Sequence, residues 1–414
     1  MNPFSYRGDA LYCDDVPVSD IAARAGTPCY IYSANAILAT FRAYDDALAG
    51  IPHRVCYAVK ANSSLGVLAL LARAGAGFDI VSGGELHRAL LAGADPGGIV
   101  FSGVGKTADE IEYALASGIH SFNCESEAEL ALLDVLAARR GVKACAAVRV
   151  NPDVDAETHP YISTGMREHK FGIDINEVEG VYERALALRN VTMGGVSCHI
   201  GSQLLNTAPL IEALDRLLAL AERLRARGCA IGFLDLGGGL GVPYRPEDAS
   251  PDIAGFTCAI RDRIQNRGLT LMLEPGRSIV AQAGILVTRV LYRKGTASKE
   301  FIVVDAAMND LIRPSLYQSH HEIIPVRRSG RGTLIADVVG PVCESADFLA
   351  RDREMANVLP GDLLAVCTAG AYGFVASSNY NSRVRPPETL VEGSAWRIIR
   401  TRETYDDLVR GETA

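Results

Sequence analysis

The chain has 414 residues, nearly half of them apolar, and its 41 basic and 49 acidic side chains give a formal net charge of −8. The length exceeds one ordinary domain, and no stretch approaches the roughly 18 uninterrupted apolar residues that a membrane helix needs. The basic residues are dispersed rather than gathered in a stripe, so nucleic-acid binding gains no support.

In chain order, MNPFSYRGDALYCDD lacks the basic region followed by an apolar one that directs secretion. GTPCYIYS (26–33) reads as a strand, and residues 1–34 are expected to join a later β-domain before Ser33 caps a helix. From about residue 52 one grammar repeats: a short β-branched apolar run ending in Gly, Ser, Asn or Pro, then an Ala/Leu/Glu-rich stretch of helical period. The runs are HRVCYAVKAN (53–62), GFDIVSGG (77–84), GIVFSG (98–103), HSFNCES (120–126), CAAVRVNP (145–152), MGGVSCHIGS (193–202), IGFLDLGGG (231–239) and LTLMLEPGRS (269–278). Between the sixth and seventh lies LIEALDRLLALAERLRARG, with apolar residues at 210, 214, 217, 218, 221 and 224. Near-continuous apolar strands alternating with helices imply a parallel sheet covered on both faces, and eight units imply a TIM (β/α)8 barrel over residues 35–280.

After residue 280 the grammar changes. VTRVLYRKG, KEFIVVDAAMND, TLIADVVGPVCES, DLLAVCTAGAYG and AWRIIRTRE read as strands separated by turns, which predicts a second, mostly antiparallel β-domain over 281–414. The ten cysteines form no C-x-x-C pair and no His/Cys cluster, arguing against zinc and against a disulfide framework. Most are expected to be reduced core residues of a cytoplasmic protein.

Barrel chemistry sits at the C-terminal ends of the strands. Those positions hold Lys60 and Asn62, Asp79 and Glu85, Arg149, His199 and Ser202, Gly237 to Gly239, Glu274, Gly276 and Arg277. Lys60 can be read as a rim lysine in a salt bridge or, if desolvated, as a Schiff-base former. LDLGGG can be read as a flexible turn or as a phosphate cradle of bare amides after the seventh strand, with EPGRS after the eighth. No acidic residue completes a dinucleotide fingerprint. An imine-forming lysine beside a phosphate cradle points to pyridoxal 5'-phosphate. Glu274 is then suited to the pyridine nitrogen, His199 to the ring face, and Ser202 and the glycine amides to phosphate oxygens.

YAVKAN, FDIVSGGE, CHIGSQ, LDLGGGLG, EPGRSIV, GPVCESADF and GAYGFVASSNYNSR resemble the segments of the fold-type III pyridoxal-phosphate decarboxylases, and most closely their diaminopimelate decarboxylase branch. The resemblance covers about residues 26–400, with the motifs in order. It implies that Lys60 carries the cofactor, that His199 stacks on its ring and that Glu274 pairs with its pyridine nitrogen. It implies Ser202, Gly238, Gly239, Gly276, Arg277 and Tyr372 around the phosphate, with Asp79 and Arg149 near the cofactor. For an amino-acid substrate it implies Arg277, Arg313, Tyr317, Glu344 and Tyr372. His169, in HKFG, stands where many relatives carry serine.

The reaction so implied removes the carboxylate at the D end of meso-2,6-diaminopimelate and yields L-lysine. Arg313 suits bidentate binding of the distal carboxylate, and Glu344 suits the distal ammonium. A thiol with the ordinary pKa of about 8.5 is mostly protonated at neutral pH, so a cysteine can return a proton with an effect of roughly 10²- to 10⁴-fold. The resemblance gives this role to Cys343, supplied by the neighbouring subunit of a head-to-tail homodimer. NDLIRPSLY places Arg313 before a proline in a turn. Read alone, any one of the ten cysteines is a small core residue, and Tyr317 and Tyr372 are packing residues. Competing readings are a barrel decarboxylase acting on ornithine, lysine, arginine or carboxynorspermidine, an amino-acid racemase, and a non-catalytic cofactor-binding relative. The racemase needs a second acid/base but not the acid of CESADF, and an inactive relative should lack Lys60 or Cys343.

Overall fold

The computed structural model describes residues 3–154 and 170–413, so His169 lies outside the described residues. The chain divides into two compact units. One comprises Thr40–Val242 and Ala249–Ser278, the other Met1–Ala39, Pro243–Asp248 and Ile279–Ala414.

Eight strands form the barrel of the first unit: β1 (His53–Ala58), β2 (Gly77–Ile80), β3 (Ile99–Phe101), β4 (Ser121–Cys124), β5 (Ala144–Asn151), β6 (Val191–Ser197), β7 (Phe233–Asp235) and β8 (Thr270–Leu273). Each pairs in parallel with the next, and β8 pairs with β1, so the sheet closes into the expected barrel. A two-residue strand, Ile173–Asp174, adds in parallel to β5.

Strands β2, β3 and β4 are buried at every position, because one face lines the barrel interior and the other is covered by helices. Cys56, Val100, Ala147, Phe233 and Met272, from five strands, pack one interior cluster, so the barrel is filled rather than open. The helices start where the sequence offers side-chain acceptors for orphan amides. Ser82, Ser126 and Asp252 each cap a helix, and Thr107 with Glu110 forms a reciprocal capping box. The helix Ala208–Ala226 buries all six apolar positions expected of it, together with Ala213 and Leu220.

The second unit is built on one mostly antiparallel sheet. Its strand Cys29–Ser33 pairs antiparallel with Gly284–Gly295 and parallel with Glu388–Glu392. Ser33 accepts the amide of Ala36 at 3.1 Å, capping the helix Ala34–Ala47. Sequence reading passed over several strands here, among them Phe348–Ala356 and Glu388–Glu392. FLARDREMA carries four charges in nine residues, and in ETLVE the buried Glu388 is held by Tyr32 and Arg400, so neither looks like an apolar run. The expected turn at Arg313 is the short helix Arg313–Tyr317, since a proline early in a helix has the φ the helix needs and lacks an amide it would leave unpaired.

Candidate active site

The polar residues at the C-terminal strand ends of the barrel unit form a connected network. Lys60 follows β1 in a single 3₁₀ turn, Val59–Ala61, and its Nζ donates to Oδ2 of Asp79 on β2. The Asp79 side chain is fully buried while that of Lys60 keeps 35 % of its surface. The lysine is therefore both ion-paired and reachable, so the salt-bridge reading does not exclude the other. Asn62 turns back and accepts the Ser64 amide at 3.0 Å, fixing the loop that carries Lys60. Glu85 accepts the amide of Val81 at 2.8 Å, and burial pushes its pKa up to about 7.

His199 follows β6. The amide of Gly238 donates to its Nδ1 at 3.2 Å, and Arg149 on β5 donates to its carbonyl at 3.3 Å. Enclosure by the protein, and then the nearby Arg149 and Lys60 cations, hold its pKa well below the usual imidazole value, so the ring is neutral. Arg149 is itself fixed by Glu125, whose Oε1 accepts at 2.9 Å and whose Oε2 accepts the Gly172 amide at 2.7 Å.

The glycine turn sits against β8. A Cβ on Gly238 would lie 2.3 Å from the Glu274 carbonyl oxygen, and Gly239 has φ +113°, so neither position admits a side chain without rearrangement. The Gly237 amide donates to Oδ1 of Asp235 at 2.9 Å, and the Glu274 amide donates to the Gly237 carbonyl at 2.8 Å. Arg277 is buried and donates to Ser202 Oγ at 3.0 Å. Gly276 packs so closely that an added Cβ would stand 3.0 Å from the Cβ atoms of Ala58 and Ala61.

Glu274 is buried. Its Oε1 accepts from Ser102 Oγ at 3.3 Å and from Asn123 Nδ2 at 3.4 Å, and the same amide nitrogen donates to Oδ2 of Asp235 at 2.8 Å. Burial, then the charges of Asp235 and Asp79, raise the Glu274 pKa well above the usual carboxylate range. Burial also raises Asp235, against the pull of hydrogen bonds from Glu274, the Gly237 amide and Asn123.

In the second unit Arg313 is buried, donates to Ser319 Oγ at 3.2 Å and lies 4.9 Å from the centroid of the Tyr244 ring. Tyr317 ends the same short helix, and Tyr372 has φ +55° within the turn GAYG. Cys343 and Glu344 stand exposed on the loop between two strands, whereas six of the ten cysteines are buried. The loop is shaped from below by buried Asp347, which accepts the amides of Met308 and Val342 at 2.7 Å each. From above, Asn381 Oδ1 accepts the Cys343 amide at 2.8 Å and Tyr380 donates to Glu344 at 2.7 Å. The two segments GPVCESADF and GAYGFVASSNYNSR thus fold onto each other.

Sequence reading missed Ser102, Asn123, Glu125 and Asp235 in the barrel, and Tyr380 and Asn381 outside it. The first four obey the rule that found their neighbours, since each is a buried polar residue at or just after the end of a strand. Asp235 stands inside LDLGGG itself.

Residues 34–281 match the family model described as "Pyridoxal-dependent decarboxylase, pyridoxal binding domain". The chain is 58% identical over 414 residues to the diaminopimelate decarboxylase of Pseudomonas aeruginosa, covering 100% of this chain and 99% of that one. Among solved structures, a Helicobacter pylori diaminopimelate decarboxylase complexed with L-lysine superposes with a TM-score of 0.91 at 43% identity, covering 95% of this chain and 98% of that one. The diaminopimelate decarboxylase of M. jannaschii superposes with a TM-score of 0.95 at 36% identity, covering 100% and 98%. A full-length match at this identity, on a closed parallel barrel with a separate antiparallel sheet, means that the chain belongs to the pyridoxal-dependent decarboxylases, in the diaminopimelate decarboxylase family.

Proposed function

We propose that this chain decarboxylates meso-2,6-diaminopimelate at its D-configured end and releases L-lysine and carbon dioxide. The observation that carries the reading is the meeting, on one barrel rim, of a reachable amine, a glycine turn with no room for side chains and a buried acid. Pyridoxal 5'-phosphate suits that set. Lys60 offers the amine, and Gly238, Gly239, Gly276, Ser202 and Arg277 offer amides, a hydroxyl and a cation for the phosphate. The buried Oδ1 of Asp79 has no hydrogen-bonding partner among the described residues, which leaves an acceptor for an incoming group. When bound, the cofactor supplies an aldehyde that condenses with an amine and a ring that accepts the electron pair left by the departing carboxylate.

The chain's own groups then have distinct tasks. Asp79 orients Lys60 through their ion pair. The neutral His199 ring, held by the Gly238 amide, presents a flat face to the cofactor ring without adding charge. Glu274 holds a proton at its carboxyl group beside the ring-nitrogen position. Arg149, braced by Glu125, supports the histidine backbone. Tyr372 completes the phosphate site.

For the substrate we assign Arg313 and Arg277 to carboxylate recognition, Glu344 to the distal ammonium, and Tyr317 and Tyr372 to the walls. A substrate lacking the second carboxylate forgoes a charge-assisted contact with an arginine, and that difference gives the discrimination. Cys343 returns the proton to the carbon that lost its carboxylate. Its exposure, with that of Glu344, supports a homodimer in which this loop serves the barrel of the partner subunit. Ten free thiols suit the reducing cytoplasm.

The test is carbon dioxide release from meso-2,6-diaminopimelate measured in parallel with L-ornithine, L-lysine and L-arginine. Strong preference for diaminopimelate is expected, and preference for any of the other three overturns the substrate assignment.

A further inference from the structure

The floor of the barrel site is a closed polar layer with one component left unexplained. Ser102, Asn123, Asp235 and Glu274, from the ends of four strands, are all buried. A buried polar layer costs stability unless each group is paired, and a carboxylate pair costs the most. Glu274 has a task in the reading above. Asp235 has none, yet its fully buried carboxylate accepts from the Gly237 amide on one oxygen and from Asn123 on the other.

We propose that Asp235 is a positioning residue: bridged to Glu274 by Asn123 and tied to the Gly237 amide, it aligns the ring-nitrogen acid with the glycine turn and holds one proton in common with Glu274. This inference rests on the assignment of Glu274 to the ring nitrogen. The Asp235 and Glu274 side chains share the Asn123 amide and hydrogen-bond each other, and two carboxyl groups buried in this way do not both ionise, so one keeps its proton. Glu274 is the one that keeps it, because among the described residues Asp235, and not Glu274, has a backbone amide donating to its carboxylate, at 2.9 Å. The other titratable groups facing the pair act in known senses. Asp79 favours the protonated form of Glu274, Lys60 opposes it, and the buried thiols of Cys56 and Cys198 face the pair with pKa values raised by burial and then by these carboxylates. Asn123 is held from behind by Lys106, whose Nζ donates to its carbonyl at 2.8 Å and to Glu129 at 2.6 Å, so the bridge itself is rigid.

The test combines the cofactor-free protein with turnover. In the cofactor-free form, infrared difference spectra between wild type and Glu274→Gln isolate the carboxylic-acid band of Glu274. Removing the neighbouring negative charge lowers an acid's pKa, so Asp235→Asn is expected to bleach that band at lower pH than wild type. In the holoenzyme, Asp235→Asn is expected to lower kcat roughly 10- to 100-fold, the usual cost of losing an outer partner of a site group, with KM little changed. The loss should nearly vanish on a Glu274→Gln background, because a positioning residue has nothing left to act through. Should Asp235→Asn fail to fold, Asn123→Ser breaks the same bridge and is expected to give the same non-additive loss.

An unmoved band, or a loss of the same size on both backgrounds, overturns the proposal. Undiminished turnover in Glu274→Gln would instead overturn the assignment of Glu274 to the ring nitrogen, and the two failures are distinguishable.

Discussion

Around the barrel mouth, Asp79, Asp235 and Glu274 are buried and held by neighbours on adjacent strands. On the second unit, Cys343 and Glu344 stand in solvent, and the carboxylate of Glu344 is met by one exposed tyrosine. The rim groups gain fixed orientation and shifted protonation from burial, both of which a cofactor site uses before any substrate arrives. The exposed pair has its backbone shaped by Asp347 and Asn381 while its chemistry faces outward. Preorganised groups keep one geometry and one protonation state before anything binds, whereas exposed ones take theirs from whatever they meet.

The sharpest break in that comparison is Lys60→Ala. It should abolish the visible absorbance of bound cofactor and lower carbon dioxide release by roughly 10⁴-fold or more, above the usual cost of a single acid–base group. Cys343→Ala should keep the absorbance and lose roughly 10²- to 10⁴-fold in turnover. Mixing the Lys60→Ala and Cys343→Ala subunits then separates shared from private sites. If each site draws on both subunits, half the dimers are mixed and each has one intact site, so about a quarter of wild-type activity returns. No recovery on mixing would place the thiol and the lysine in the same subunit's site.

Smaller effects sharpen the contrast. Tyr380→Phe removes one exposed hydrogen bond to Glu344 and should raise KM about 2- to 10-fold with kcat unchanged. The half-buried counterpart is Glu85, whose folded pKa of about 7 exceeds that of an unfolded glutamate. The folded state therefore binds the extra proton, and its stability falls as pH rises from the ordinary carboxyl range to about 7. Thermal unfolding of Glu85→Gln should lack this decline, leaving wild type about 2–4 °C less stable relative to it at pH 8 than at pH 5.

Much of the barrel was legible because its signal is local. Eight apolar runs ended where Lys60, Asp79, Arg149, His199 and Glu274 stand, and the strand-end rule needs no tertiary information. Asp235 was hidden by its own motif, since LDLGGG draws the eye to the glycines, and an aspartate before a turn has an ordinary capping use. Asn123 lay in HSFNCES, where only its spatial neighbours across the barrel give it a task. The β-domain was less legible. Glu388–Glu392 begins and ends in glutamate, and its partners Tyr32 and Arg400 lie far away in sequence or on the next strand. Charges that a sheet neutralises internally look like surface when read one residue at a time.

The strand Cys29–Ser33 sits between residues 284–287 and 388–391, and Thr389 donates to the Tyr30 carbonyl across a separation of 359 residues. During synthesis every barrel strand has left the ribosome once residue 273 is out, but this early strand has to wait for almost the last part of the chain. Until then its paired edges are open to other chains, a hazard of long-range β pairing. A polypeptide cut short before residue 388 keeps the barrel's strands and loses the strand that pairs with the second edge of Cys29–Ser33.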